Sequence, residues 1–128
     1  MNAPMNPLAI AEIHTLSGLL RRGAPIDDWV TEHSIRVRVR ERHLLKAMAH
    51  LIGADYAARQ APARRFNLEL PDDASDTFAL CGRMITVAMN DDEETLDALV
   101  ATWASWDAIR RATVVRALAE ELGQALLA

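Results

Sequence analysis

The chain has 128 residues, 51% of them hydrophobic and 25% charged, with a formal net charge of −4 and one cysteine, Cys81. This is the composition of one globular domain, large enough to bury a core without a metal or a disulfide. It excludes a disordered tail and a disulfide scaffold, and there is neither the length nor the Gly-rich loop of a doubly wound nucleotide-binding enzyme.

In chain order, residues 1–7 read as a flexible lead-in without a secretory pattern, and 8–128 as a single helical domain. Leu8, Ile10, Ile13, Leu16, Leu19 and Leu20 recur at helical spacing, with Pro7 at the entry and Gly23 after the last turn. Ser17 and Gly18 are small enough for a neighbouring backbone to approach. A short helix follows Pro25, with Asp27 and Asp28 in its first turn and Ile26, Trp29 and Val30 on its apolar face. It ends at His33 and Ser34, and Ser34 is a candidate cap for the next element.

Residues 35–59 admit two readings. Ile35, Val37 and Val39 alternate with Arg36, Arg38 and Arg40, as Phe66, Leu68 and Leu70 do with Asn67 and Glu69, which is the period of a strand. A short two-stranded ribbon at 35–40 and 66–70 would then set a basic strand beside an acidic one. A single helix instead lines up Val37, Leu44, Leu45, Met48, Leu51 and Ile52, with arginines on both flanks, but leaves Ile35 and Val39 exposed. The helix is the preferred reading.

Residues 61–71, with Pro62 and Pro71, form a connector. Asp72, Asp73 and Asp76 precede a helix ending near Met89 that is apolar nearly all round and is expected at the centre of the core. The acidic run 91–94 opens the next helix, with Leu96, Leu99, Val100, Trp103 and Trp106 as its stripe. Ser105 is a candidate cap for a last helix over 106–127. A break near 104–106 is preferred, since one helix over 91–127 would run ~55 Å. The fold class is all-α, a compact bundle of five or six helices, with the ribbon as the alternative for 35–40 and 66–70.

Little in the sequence points to catalysis. His43 and His50 are seven apart, about 10 Å along a helix, too far for one metal ion, and no His-x-x-x-His or Cys-x-x-Cys pair exists. The serines and Cys81 stand in no nucleophile motif, and the acidic runs fit helix starts better than a calcium loop. No cofactor, metal or catalytic residue is expected.

Charge is the sharper signal. Segments 1–20, 21–65, 66–107 and 108–128 carry net charges of −1, +5, −9 and +1. Arg36, Arg38, Arg40, Arg42 and Lys46 form a basic stretch that could face a phosphate backbone, an acidic partner, or the chain's own acidic segment. Trp29 and Trp106 are candidate anchors of a protein interface, since Trp is enriched at hot spots. The leading expectation is a non-enzymatic protein-interaction module: an adaptor, a regulator or an accessory subunit of a larger bacterial or mobile-element assembly. The alternative is a nucleic-acid-binding helical protein, either a helix-turn-helix regulator or a subunit of a ribonucleoprotein. A cytoplasmic location, no membrane partner and a capacity to form homodimers complete the expectations.

Overall fold

A computed structural model describes residues 6–59 and 70–127. Within them lie six helices: α1 (Pro7–Arg21), α2 (Asp27–Ile35), α3 (Val39–Arg59), α4 (Asp76–Met89), α5 (Glu93–Ser105) and α6 (Ala108–Leu127). Local chemistry accounts for most of the boundaries. The Asn6 side chain accepts from the backbone N–H groups of Leu8 and Ala9, and Pro7 occupies the first helical position of α1. At the other end Gly23 takes φ +64°. Its N–H donates to the Leu20 carbonyl and that of Ala24 to the Leu19 carbonyl, the paired bonds of a glycine C-cap. Asp91, at φ 55°, turns the chain in the same way after α4.

Several expectations are corrected. Residues 35–40 are not a strand: Ile35 ends α2, three residues turn, and Val39 begins α3. Of the partner segment, 66–69 lie outside the described residues, and Leu70 is in no strand. The ribbon is excluded at 35–40, and so is one unbroken helix from Ile35. Of the segment expected as a lead-in, Pro7 is helical and Asn6 is its cap, and residues 1–5 lie outside the described residues. Ser34 does not cap α3, since its hydroxyl donates back to the Val30 carbonyl. Ser105 does not cap α6 either. Its hydroxyl donates to Thr102, and the Asp107 carboxylate instead accepts from the Arg110 N–H. The break between α5 and α6 stands at Trp106 and Asp107.

Cross-contacts fix the directions of the helices. Glu12 faces Arg40 at the start of α3 and Leu20 lies against Gly123 toward the end of α6, so α1 runs in the same sense as α3 and α6. Tyr56 donates to Glu121, so α3 and α6 finish together. Cys81 meets the Val114 carbonyl and Asp76 meets Arg110, so α4 runs along α6 in the same sense. Lys46 pairs with Asp97 and His50 with Glu93, so α5 runs against α3. Asp27 pairs with Arg116 while Arg111 reaches the Ser34 carbonyl, so α2 runs against α6. Four helices therefore begin at one end of the bundle, where α2 and α5 terminate.

The central helix is α3 rather than α4. It packs against α1, α4, α5 and α6, and Leu44, Leu45, Met48 and Ala49 are fully enclosed. Its neighbour α4 lies to one side and exposes Phe78. Close approach between them depends on Gly53, where a Cβ would stand 3.0 Å from Met89 Cγ and 3.3 Å from the Ile85 carbonyl oxygen. Gly53→Ala is expected to destabilise the fold by about 1–3 kcal/mol through overpacking. Gly18→Ala meets only the mobile end of Arg22 and is expected to gain up to about 1 kcal/mol in helix propensity. Urea unfolding of both variants checks the pair.

Candidate functional site

The basic stretch is drawn together by one acid. Glu41, in the first turn of α3, has a side chain with no solvent exposure. Its Oε1 accepts from the Arg38 backbone N–H at 3.1 Å and from Arg38 Nε at 2.8 Å, which closes the N-terminus of α3 as one half of a capping box does. Its Oε2 accepts from Arg40 Nε at 3.0 Å and lies 3.2 Å from Nδ1 of His33, a fully buried residue of α2. Burial alone would raise the Glu41 pKa, but hydrogen bonds from Arg38, Arg40, His33 and the Arg38 backbone outweigh it and hold the carboxyl at about 2. An ionised Glu41 can only accept, so His33 Nδ1 carries a proton and donates. The other ring nitrogen lies 2.9 Å from Oε2 of Glu12 on α1. The Trp29 ring stands edge-on to His33, with centroids 4.7 Å apart, and its Nε1 donates to the Glu12 carbonyl. Three helices are thereby pinned at one point.

Arg40 also approaches Glu12 at 3.9 Å and Glu32 at 3.7 Å. Lys46 lies 2.7 Å from Asp97 and 3.2 Å from Glu93. Burial lowers the Lys46 pKa, but its bonds to Asp97 and Glu93 prevail and raise it. The expected basic site therefore divides. Arg38, Arg40 and Lys46 are neutralised by the protein's own acids, whereas Arg36 and Arg42 are exposed and have no ionic or hydrogen-bonding partner among the described residues. The α2–turn–α3 unit has the outline of a helix-turn-helix, but α3 is enclosed by four other helices over its middle and has its exposed residues in its first turn and toward its C-terminal end.

The tryptophans also divide. Trp29, expected at an interface, is 4% exposed and belongs to the core around His33. Trp106 is partly buried, with the Arg110 guanidinium 4.1 Å above its ring. Large apolar exposure lies elsewhere: Ile109 at 81%, Val39 at 70% and Ile35 at 61% are the three most exposed large hydrophobic side chains among the described residues. All three belong to the corner of the bundle where α2 stops and α3 and α6 begin. Ile35 stands two turns beyond Asp27 on α2, and Ile109 two turns before Arg116 on α6. The Asp27–Arg116 ion pair sets these stretches of α2 and α6 side by side. Arg111 locks that corner, donating from Nε to the Ser34 carbonyl at 2.8 Å and from its terminal nitrogens to the Ile35 and Trp106 carbonyls. Val39 follows one short turn after Ile35.

The sequence did not single out Glu12, His33, Glu41 or Arg111. The available signal was an acid three residues after the cap position of α3, but the cap is Arg38 rather than one of the usual capping residues.

Reactive chemistry is sparse. Cys81 is buried, and burial pushes its thiol up to about 12. The hydroxyl of Tyr56, donating to Glu121 at 2.6 Å, is likewise raised to about 12. Among the described residues no cluster of His, Cys, Asp and Glu is arranged to hold a metal ion, and no helix is long and apolar enough to cross a membrane. No protein-family model, curated protein or solved structure matches the chain.

The acid at the centre sets a pH dependence. The folded Glu41 carboxyl sits at about 2 against an ordinary 4.5, so its stabilisation is fully present above about pH 4.5 and is lost as pH falls through 2. Glu41→Gln is expected to cost roughly 3 kcal/mol at pH 7, leaving His33 buried with a weakened partner. The gap between wild type and variant should close as pH drops from 5 to 2, which urea unfolding at stepped pH measures.

Proposed function

We propose that this protein is a non-enzymatic interaction module, an adaptor, regulator or accessory subunit, that docks through the corner where α2 ends and α3 and α6 begin. The observation that carries this reading is that Ile109, Val39 and Ile35, the three most exposed large hydrophobic side chains among the described residues, all belong to the end of the bundle where Arg111 ties the finish of α2 to the start of α6. Single exposed apolar residues are ordinary on a protein surface, whereas the strongest exposures falling at one end of a small bundle favour a binding surface there. The residue types present, with the thiol buried and its pKa raised, also favour recognition over chemistry.

A second reading, nucleic-acid binding, is favoured by Arg36 and Arg42, which have no partner among the described residues. Two phosphate contacts would give a shallow salt dependence, a loss of roughly tenfold between 50 and 200 mM salt.

The tagged protein captured from a bacterial lysate, with and without nuclease, separates the two. The docking reading expects a discrete protein that survives nuclease and is lost with Ile109→Asp and Val39→Asp. Both positions are exposed, so the variants should melt like the wild type. Capture unchanged by both substitutions would remove this corner from the function. Nuclease-sensitive absorbance at 260 nm in its place would favour nucleic acid.

A further inference from the structure

A cavity of about 400 Å³ lies between α4, α5 and the segment that leads into α4. Asp76, Leu80 and Arg83 line it from one stripe of α4, at i, i+4 and i+7. Leu99 and Thr102 line it from the facing stripe of α5, and Trp106 follows at the end of that helix. Pro71 and Asp72 form the third wall, in a turn where the Ala74 N–H donates to the Pro71 carbonyl at 3.0 Å. The charges of this lining are unequally engaged. Asp76 is held by Arg110 at 3.0 Å, and the same guanidinium covers the Trp106 ring at 4.1 Å. Arg83 and Asp72 are exposed and have no ionic or hydrogen-bonding partner among the described residues. They do not pair with each other either, which leaves both for a ligand that stands between them. The cavity thus offers one unengaged cation, one unengaged anion and apolar walls from Leu80, Leu99, Trp106 and Pro71.

We propose that this cavity binds a small zwitterion with an apolar body, of the kind a dipeptide of apolar residues represents. The ligand carboxylate takes the forked donors of Arg83, the ammonium group takes the Asp72 carboxylate, and the apolar body lies against Leu80, Leu99 and Trp106. Size agrees, since the volume falls at the small end of the range for ligand sites. A wholly apolar ligand would strip water from two charges and replace it with nothing. An inorganic phosphate would meet Asp72 and Asp76, and a simple amine would meet Arg83. None of Ile35, Val39 and Ile109 lines the cavity, so a ligand here acts apart from the docking corner.

The dipeptide Leu-Phe, its N-acetylated form and its C-terminal amide test it. Each is titrated into the full chain while the Trp106 indole N–H resonance, assigned with Trp106→Phe, is followed by NMR, with calorimetry as the second measure. Leu-Phe is expected to shift the resonance saturably, with a dissociation constant of roughly 1 mM or below. Capping either end should weaken binding by roughly three- to tenfold, the scale of one charge-assisted hydrogen bond at a half-open site. Arg83→Gln should bind Leu-Phe and its amide alike, and Asp72→Asn should bind Leu-Phe and its acetylated form alike. Thr102→Phe, which fills the cavity, should abolish binding. All three positions are exposed, so circular dichroism melts of the variants are expected to match wild type. No saturable shift or heat, equal affinity for capped and uncapped peptides, or unchanged binding in Thr102→Phe overturns the proposal. A capping penalty that survives in the variant lacking the matching charge does so too. Acetylated peptide bound as tightly as Leu-Phe would make the ligand a plain carboxylate, and amide bound as tightly would make it a plain amine; either result overturns the zwitterion.

Discussion

A carboxylate sealed from water at the start of the central helix organises this bundle. Glu41 is an expensive group to enclose, and its enclosure is workable because Arg38, Arg40, His33 and a backbone N–H all converge on it. Each of those donors is constrained in turn. His33 must face both Glu41 and Glu12, which sets the rotation of α2 and the height of α1. The Arg38 N–H must point inward, which shapes the turn between α2 and α3. A purely apolar contact at this point would tolerate sliding and rotation. The polar cluster does not, because a shifted helix would strand a buried charge or ring nitrogen.

The same cluster decides what the surface has left to offer. A run of five cations in the sequence becomes two in the folded protein, because three are consumed internally. Glu93 and Asp97 on α5 complete that neutralisation at Lys46, and Glu93 also hydrogen-bonds His50. Among the described residues, Lys46 is the Lys or Arg of the basic segment that pairs with the acidic one, whereas Arg38 and Arg40 are held by acids of the N-terminal half. What persists at the α2–α3 corner is small, local and set beside apolar side chains rather than spread along a face.

Much of the architecture was legible in the sequence. The 3.6-residue apolar period marks the buried Ile13, Leu16, Leu44, Leu45, Met48, Leu96, Val100 and Trp103, though Leu8 and Ile10 of the same pattern are exposed, and Gly23 marks the end of α1. The alternation at 35–40 misled, since a helix end, a turn and a helix start happen to place Ile35, Val37 and Val39 two apart. The exposure of Ile35 and Val39, which counted against a helical reading, is a real feature of the protein. The central cluster was not legible because its members come from three helices and no short spacing links Glu12, His33 and Glu41. Trp29 was assigned by residue type to a surface, whereas its indole N–H is satisfied inside by the Glu12 carbonyl.

The direction of the helices carries a consequence for the electric field of the molecule. α1, α3, α4 and α6 begin at the end that α2 and α5 reach with their C-termini. Each helix start behaves as roughly half a positive charge and each helix finish as half a negative one. Four starts against two finishes leave that end positive by about one elementary charge before any side chain is counted. A chain that is acidic as a whole therefore turns a backbone-derived positive pole toward whatever meets it there, and no surface substitution can remove that pole without changing the topology.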